Sequence, residues 1–434
     1  MNNQFLLRVR RPVFVMTFAL MLLAIGWQTT MHLIDYFHDV YGYENGCINE
    51  MLINYEGGFV RRGLFGELLI LARSVIPFSV FDAVVVLYYL GFALLAGLLL
   101  RLFGRNGWSL YLLPFPICLY VYLCDPYFLV GRRDCWLLLM AYLCYYLYYK
   151  YIASGRNVYI GLCVMAQLLA LLLHEASLFF IFPIIFFHDL HRQYKLAGGL
   201  NISKAFFRAF AHWWPVLALV GILIQYHGDN TIARGFWLSW APYFDVTEEL
   251  ITDSYISRTL VWSFGDNLTM AIWPATWMGY LVWKIPVWPF NLYLFFCTYY
   301  LVTRFNTIHL GDINKDVDKV QLSNIVLLLF CSMFVFMSFV SCDWGRDFPY
   351  WVISSFMFFH FFRFSDCFPT FLIKLSEKLQ SWIDESSFLS SQWGYYILLI
   401  TLPFGFMGAS LSGMFPFIPL ALKHILMGQP MVVY

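Results

Sequence analysis

Apolar residues run through this chain in blocks of bilayer length, not in the alternating or one-sided stripes of a water-soluble fold. The blocks fall at 12–33, 81–100, 108–124, 135–153, 157–173, 177–188, 209–226, 286–303, 323–341, 349–362 and 393–412. A helix rising about 1.5 Å per residue crosses a hydrocarbon core of about 30 Å in about 20 residues. The pattern therefore predicts an all-α, polytopic transmembrane helix bundle of about eleven spans. A twelfth would come from 413–427, which Pro416 and Pro419 interrupt, while 268–284 reads equally as interfacial, re-entrant or spanning. The first block follows Arg8, Arg10 and Arg11 without a small-residue cleavage site. It predicts an uncleaved signal-anchor with a cytoplasmic N-terminus.

Residues 1–434 thus read as one integral membrane domain with two large polar insertions, 34–80 and 227–267, on the outer side. In the first insertion, Leu64, Leu68, Leu69 and Leu71 interleave with Arg62, Glu67 and Arg73 at helical spacing between Gly63 and Ile76. That spacing predicts a helix lying on the membrane surface. In the second, Trp237, Trp240 and Tyr243 are expected at headgroup depth. No internal repeat and no low-complexity tract interrupts this plan.

Composition agrees: 61% of residues are hydrophobic, 21% aromatic and 12% charged, at a mean hydropathy of +0.67. So much apolar surface exceeds what an ordinary soluble domain buries. With 27 Lys and Arg against 26 Asp and Glu, no charge excess points to a nucleic-acid partner. Placement says more. The predicted cytoplasmic segments hold 17 basic residues and the outer ones 8, as the positive-inside rule requires, whereas 18 acids fall outside and 8 inside. The cytoplasmic loops are short and carry no nucleotide-binding glycine loop, so direct use of ATP or a nucleotide sugar is not expected. The ten cysteines lack zinc-site spacing and read as small core residues, with Cys47 and Cys342 able to pair on the outer side.

The scarce outer arginines sit in three compact groups beside acids and glycines: Glu56-Gly57-Gly58-Phe59-Val60-Arg61-Arg62-Gly63, Gly131-Arg132-Arg133-Asp134, and Asp343-Trp344-Gly345-Arg346-Asp347. A planar guanidinium grips phosphate oxygens at two points and keeps its charge in a dry site, and glycine lets a backbone approach an anion. The alternative for each group is a local ion pair that ties down a turn. A fourth feature is His174-Glu175, set between two short apolar runs. Burial there would raise the glutamate's pKa and suit it to acid or base work with the histidine as partner. Asp35, Asp39 and Glu56 stand where a carboxylate could deprotonate a hydroxyl or hold a divalent cation beside those arginines.

These features resemble the membrane glycosyltransferases of the GT-C class. The Glu-Gly-Gly-Phe-Val-Arg-Arg-Gly and Asp-Trp-Gly-Arg runs also resemble segments of membrane proteins from bacterial surface-polysaccharide loci. The resemblance implies a GT-C-like bundle in the bacterial inner membrane, with its active site facing the periplasm. It implies a polyprenyl phosphate or diphosphate sugar donor and a glycan or lipid-linked acceptor. Carried onto this sequence, the base or metal-ligand role falls on Asp35, Asp39 or Glu56, and the phosphate role on Arg61, Arg62, Arg132, Arg133 and Arg346, with Asp134 and Asp343 beside them. No adjacent acid pair in the first outer segment reproduces the paired-acid motif of several GT-C families, so a Mg or Mn requirement stays open. Two other functions fit the same features: an O-antigen-type polymerase, and a transporter or flippase of a lipid-linked or anionic solute.

Overall fold

The structure, a computed structural model, describes residues 46–103, 133–199, 201–261, 344–361 and 370–391, with short stretches at 265–266, 296, 299–300, 303–304, 327–332, 393–394 and 397–398. The expected spans at 12–33, 108–124 and 413–427 lie outside the described residues, as does most of 268–303, 323–341 and 393–412. Among the described residues all regular structure is helical, and there is no strand. The helices are α1 Gly46–Leu52, α2 Leu64–Val75, α3 Val80–Phe103, α4 Asp134–Ser154, α5 Asn157–Leu173, α6 Ser177–Phe180, α7 Phe182–Leu196, α8 Ile202–Gln225, α9 Asn230–Trp240, α10 Glu248–Asp253, α11 Tyr255–Val261, α12 Trp344–Phe361 and α13 Thr370–Glu385.

Two of them, α3 over Val80–Leu99 and α8 over Ile202–Gln225, are long and apolar enough to cross a membrane by length and composition. Both expose the residues a soluble helix would hide: Val86, Leu90 and Leu94 on α3, and Phe207, Trp214 and Ile224 on α8. Helix α4 is too rich in tyrosine to match their hydropathy, yet it is apolar all round. Leu137, Leu138, Ala141, Cys144, Tyr145 and Tyr148 face the core at three- and four-residue spacing, while Leu143, Tyr146 and Tyr149 stay exposed. Gly155, left-handed at φ 68°, caps α4 and donates its N–H to Tyr151 O, and α5 starts two residues later. The resulting antiparallel hairpin is the centre of the bundle, with α3 and α12 against α4 and α8 against α5.

The span expected at 177–188 is broken. Helix α6 stops at Phe180, and α7 runs on to Leu196, well past the expected end. Pro183 has no N–H to give Phe179 O. The Ser332 hydroxyl donates to that carbonyl instead, and the Tyr145 hydroxyl donates to Phe180 O at 2.6 Å. At the far end of the α4–α5 hairpin, the buried Asp189 of α7 accepts from Trp213 Nε1 at 3.1 Å and Gln193 Nε2 at 3.3 Å and contacts His212 Nδ1 at 2.8 Å. This cluster locks α7 to α8.

The two polar insertions, 34–80 and 227–267, read separately in the sequence, pack through their described residues as one helical layer with its own core. Ile48, Met51 and Leu52 of α1, Leu69 and Ile70 of α2, Phe236, Trp237 and Trp240 of α9, and Leu260 of α11 are buried together. Trp237 and Trp240, read in the sequence as aromatic residues at headgroup depth, take part in this core. They are fully buried, with indole N–H groups donated to Ser257 Oγ at 2.9 Å and Leu52 O at 3.0 Å. Burial of an indole requires such a partner, and α11 and α1 supply it. Helix α2 falls where the surface helix was expected: Gly66, Leu69 and Ile70 face inward, while Leu68, Leu71, Val75 and Ile76 remain exposed.

Candidate functional site

The loop between α1 and α2 is set by close backbone approach. A Cβ on Gly57 would lie 2.3 Å from Ile232 O, and one on Gly235 would lie 2.5 Å from Gly57 Cα, so loop and α9 touch main chain to main chain. Gly58 turns the loop at φ 127°, and Gly63 leaves room for the Tyr55 ring, which a Cβ would meet at 2.2 Å. These glycines serve approach to protein, not to an anion. Asn54 Nδ2 fastens the loop to Ser239 Oγ at 2.8 Å, and Glu67 Oε2 accepts the Tyr55 N–H at 2.9 Å.

This scaffold delivers Arg62 in the left-handed region, at φ 64°. It is the one non-glycine with positive φ among the described residues, and that conformation costs an L-residue about 1–2 kcal/mol. The strain is offset by its guanidinium. Arg62 Nε donates to Glu175 Oε1 at 3.1 Å and Oε2 at 2.9 Å, Nη2 donates to Glu175 Oε1 at 2.5 Å, and Nη1 donates to Glu50 Oε1 at 2.9 Å. Arg61 Nη1 lies 3.9 Å from the same Glu175 oxygen. The neighbouring α1 and loop thus meet the turn after α5, distant in sequence, around one arginine.

Arg133, which directly precedes α4, lies beneath this cluster and is fully buried. Its Nη1 donates to Arg62 O at 2.6 Å and Leu173 O at 2.9 Å, and its Nη2 donates to Glu50 O. Its fork is turned onto main-chain carbonyls of the three segments that build the site, so it acts as a strut beneath the other two arginines. Asp134 accepts from the Tyr350 hydroxyl, and Tyr350 stacks on Phe180 with centroids 4.7 Å apart. Those contacts bring the start of α12 to the same end of the bundle. Arg346 occupies the first turn of α12, four residues before Tyr350.

Glu175 carries the main electrostatic consequence. Burial is the largest single influence and pushes its carboxyl up, but the Arg62 guanidinium, His174 and Arg61 together outweigh burial and hold it well below the ordinary carboxylate range. This is the reverse of the raised value expected from the sequence. The neighbouring cation was not visible there. His174 differs too: Ala176 N–H donates to its Nδ1 at 3.1 Å, so the ring proton belongs on Nε2. Nδ1, 3.5 Å from Glu175 Oε2, is thereby engaged as an acceptor. A carboxylate held so far down is a weak proton acceptor, and its geometry suits holding Arg62 in place.

Glu56 is exposed at the rim of the loop, its N–H donated to Asn54 Oδ1 at 3.1 Å, and its carboxylate makes no hydrogen bond or ion pair among the described residues. Asp35, Asp39, Arg132 and Asp343 lie outside the described residues. No group of three or more His, Cys, Asp or Glu side chains suited to a metal ion occurs among the described residues. The site residue that the sequence analysis did not single out is Glu50, buried in α1 and paired with Arg62. Its signal was faint: Ile48, Met51 and Leu52 surround the acid in sequence, and an acid is rarely buried unless paired.

Comparison with known proteins leaves the chain by itself: no protein-family model, no curated protein and no solved structure matches it.

Proposed function

We propose that this chain is a multi-span glycosyltransferase of GT-C-like architecture in the bacterial inner membrane. It would take a polyprenyl phosphate or diphosphate sugar as donor and work at its periplasmic end. The observation that carries this reading is the convergence of Arg61, Arg62 and Arg133 with Glu50 and Glu175 at one end of the helix hairpin. Helix α2, which begins two residues after Arg62, exposes Leu68, Leu71 and Val75 along its length. A lipid phosphate presents an anionic group at the boundary of an apolar chain, and the arginines and the apolar face of α2 would take those two parts.

Arg61 and Arg62 would hold the donor phosphate, with Glu175 and Glu50 as positioning residues that fix Arg62 and Arg133 as the strut below. An exposed carboxylate, Glu56 being the described candidate, takes the proton of the acceptor hydroxyl. The hydroxyl oxygen then attacks the anomeric carbon from the face opposite the phosphate. The carbon–oxygen bond to phosphate breaks with inversion, and the polyprenyl phosphate leaves with the electron pair, its charge met by the arginines. An O-antigen-type polymerase is the same chemistry with a lipid-linked acceptor.

The test is glycan extension by membranes carrying wild-type chain, Arg61→Ala or Glu56→Gln. The account expects extension to fail in Arg61→Ala while the protein stays folded in the membrane, and Glu56→Gln to lose turnover more than donor binding. Wild-type extension in Arg61→Ala refutes the phosphate role. Movement of intact lipid-linked sugar across the bilayer without glycosidic bond cleavage would make the chain a flippase.

A further inference from the structure

Helix α13 was not anticipated in the sequence, and it has two unlike faces. Leu372, Ser376, Gln380 and Ile383 are buried against the bundle, and Gln380 Nε2 donates to the Tyr299 hydroxyl at 3.0 Å. The segment that follows α13 is tied down as well: Tyr300 donates its hydroxyl to Leu389 O at 2.6 Å, and Arg304 Nη2 donates to Ser390 O at 2.5 Å. Turned away from that contact, Phe371, Leu375 and Trp382 are 64%, 40% and 51% exposed. At 100° per residue these three lie within about 40° of one another, forming one stripe. Lys374 and Lys378, both exposed, run along one edge of the stripe, an edge that Glu385 closes at the C-terminal end, while the exposed Glu377 and Asp384 lie farther round the helix.

An apolar stripe with an aromatic anchor and lysines along its edge is the pattern of a helix in the headgroup layer. Its rings reach the acyl boundary and its ammonium groups stay among lipid phosphates. The position fits: Arg304 and both lysines belong to the segments expected on the cytoplasmic side, where anionic lipid attracts basic residues. We propose that α13 is a docking surface for the cytoplasmic leaflet, seated on anionic phospholipid headgroups through Lys374 and Lys378 with Phe371, Leu375 and Trp382 in the lipid. The inference rests on the membrane placement proposed above and not on the glycosyl-transfer chemistry.

The experiment places a benzophenone amino acid at Phe371 or, in a separate protein, at Trp214 on α8. The full chain is reconstituted in nanodiscs of phosphatidylcholine alone or with phosphatidylglycerol at one part in three, then irradiated, and lipid adducts are weighed by mass spectrometry. Size-exclusion elution as a single species checks folding, and Leu375 serves as a second position if the Phe371 protein fails it. Expected are lipid adducts at both sites and, at 371, phosphatidylglycerol adducts several-fold above its share of the lipid. That excess should fall to parity in Lys374→Gln/Lys378→Gln. Adducts at 214 but none at 371 or 375 overturn the docking surface and leave membrane placement intact. Adducts at neither site overturn both, and adducts at 371 without the excess overturn the assignment to anionic lipid.

Discussion

Replacing Arg133 with methionine separates a strut from a ligand-binding arginine. Methionine keeps much of the stem volume and removes every donor. The carbonyls of Glu50, Arg62 and Leu173, which Arg133 now serves, lose that donor. An unsatisfied buried polar group costs about 1–3 kcal/mol, so three of them set a loss of about 3 kcal/mol even at the low end. That is about a hundredfold in the unfolding equilibrium. Arg133→Lys restores part of the donation without the fork and should lose about half as much. The assay is reversible unfolding in mixed micelles by titration with dodecyl sulfate, followed by tryptophan fluorescence, with farnesyl phosphate binding measured on the folded fraction. The reasoning is refuted if Arg133→Met stays within about 0.5 kcal/mol of wild type, the scatter of an unimportant surface change. It is refuted equally if stability holds and binding alone is lost.

Other consequences follow from the same geometry. Arg62→Gly should be less destabilised than Arg62→Ala by about 1 kcal/mol, since glycine accepts the left-handed φ and both lose the same ion pairs; equal stabilities would deny the strain. Because the folded Glu175 carboxyl is held below its ordinary value of 4.5, its contribution to stability is present in full above that value. It is lost as pH falls through the lower, folded value, so the acid limb of a stability–pH curve should be shallower in Glu175→Gln; superimposable limbs would contradict the shift. Gly57→Ala must push a methyl into Ile232 O, and overpacking of this kind costs about 1–3 kcal/mol. Limited proteolysis should then cut the layer built from the two insertions sooner than the helix hairpin, and unchanged cleavage would deny the contact.

Much of the helical plan was legible because it follows from run length. The blocks at 81–100, 135–153 and 157–173 correspond to α3, α4 and α5, and the leucine spacing after Gly63 corresponds to α2. The break at Ile181 was hidden because both sides are equally apolar, and only the missing N–H of Pro183 marks it. The packing of the two insertions into one layer was not legible, although its helix α2 was. It depends on Gly57 meeting Gly235 and on Trp240 reaching Leu52 O, contacts between segments more than 170 residues apart that leave no local pattern. The arginine groups were legible as unusual, but their division of labour was not. Whether a guanidinium faces a carbonyl, a carboxylate or an open site is set by what the fold brings beside it, and adjacent arginines such as Arg61 and Arg62 look alike on paper. For the same reason the sequence could see that Glu175 is set between apolar runs but not that Arg62 is beside it, and so it inverted the sign of the shift.

The central claim is that Arg61 and Arg62 form an anion site for a lipid-linked phosphate. The direct measurement is native mass spectrometry of the purified chain with farnesyl phosphate and with farnesol, for wild type and Arg61→Ala. A hydrogen bond to a charged group is worth about 1.5–3 kcal/mol, or about ten- to a hundredfold in affinity. The account predicts binding of the phosphate in clear preference to the alcohol, and at least a tenfold loss in Arg61→Ala. Equal binding of the two lipids by the wild-type chain, or phosphate binding undiminished in the variant, would contradict it.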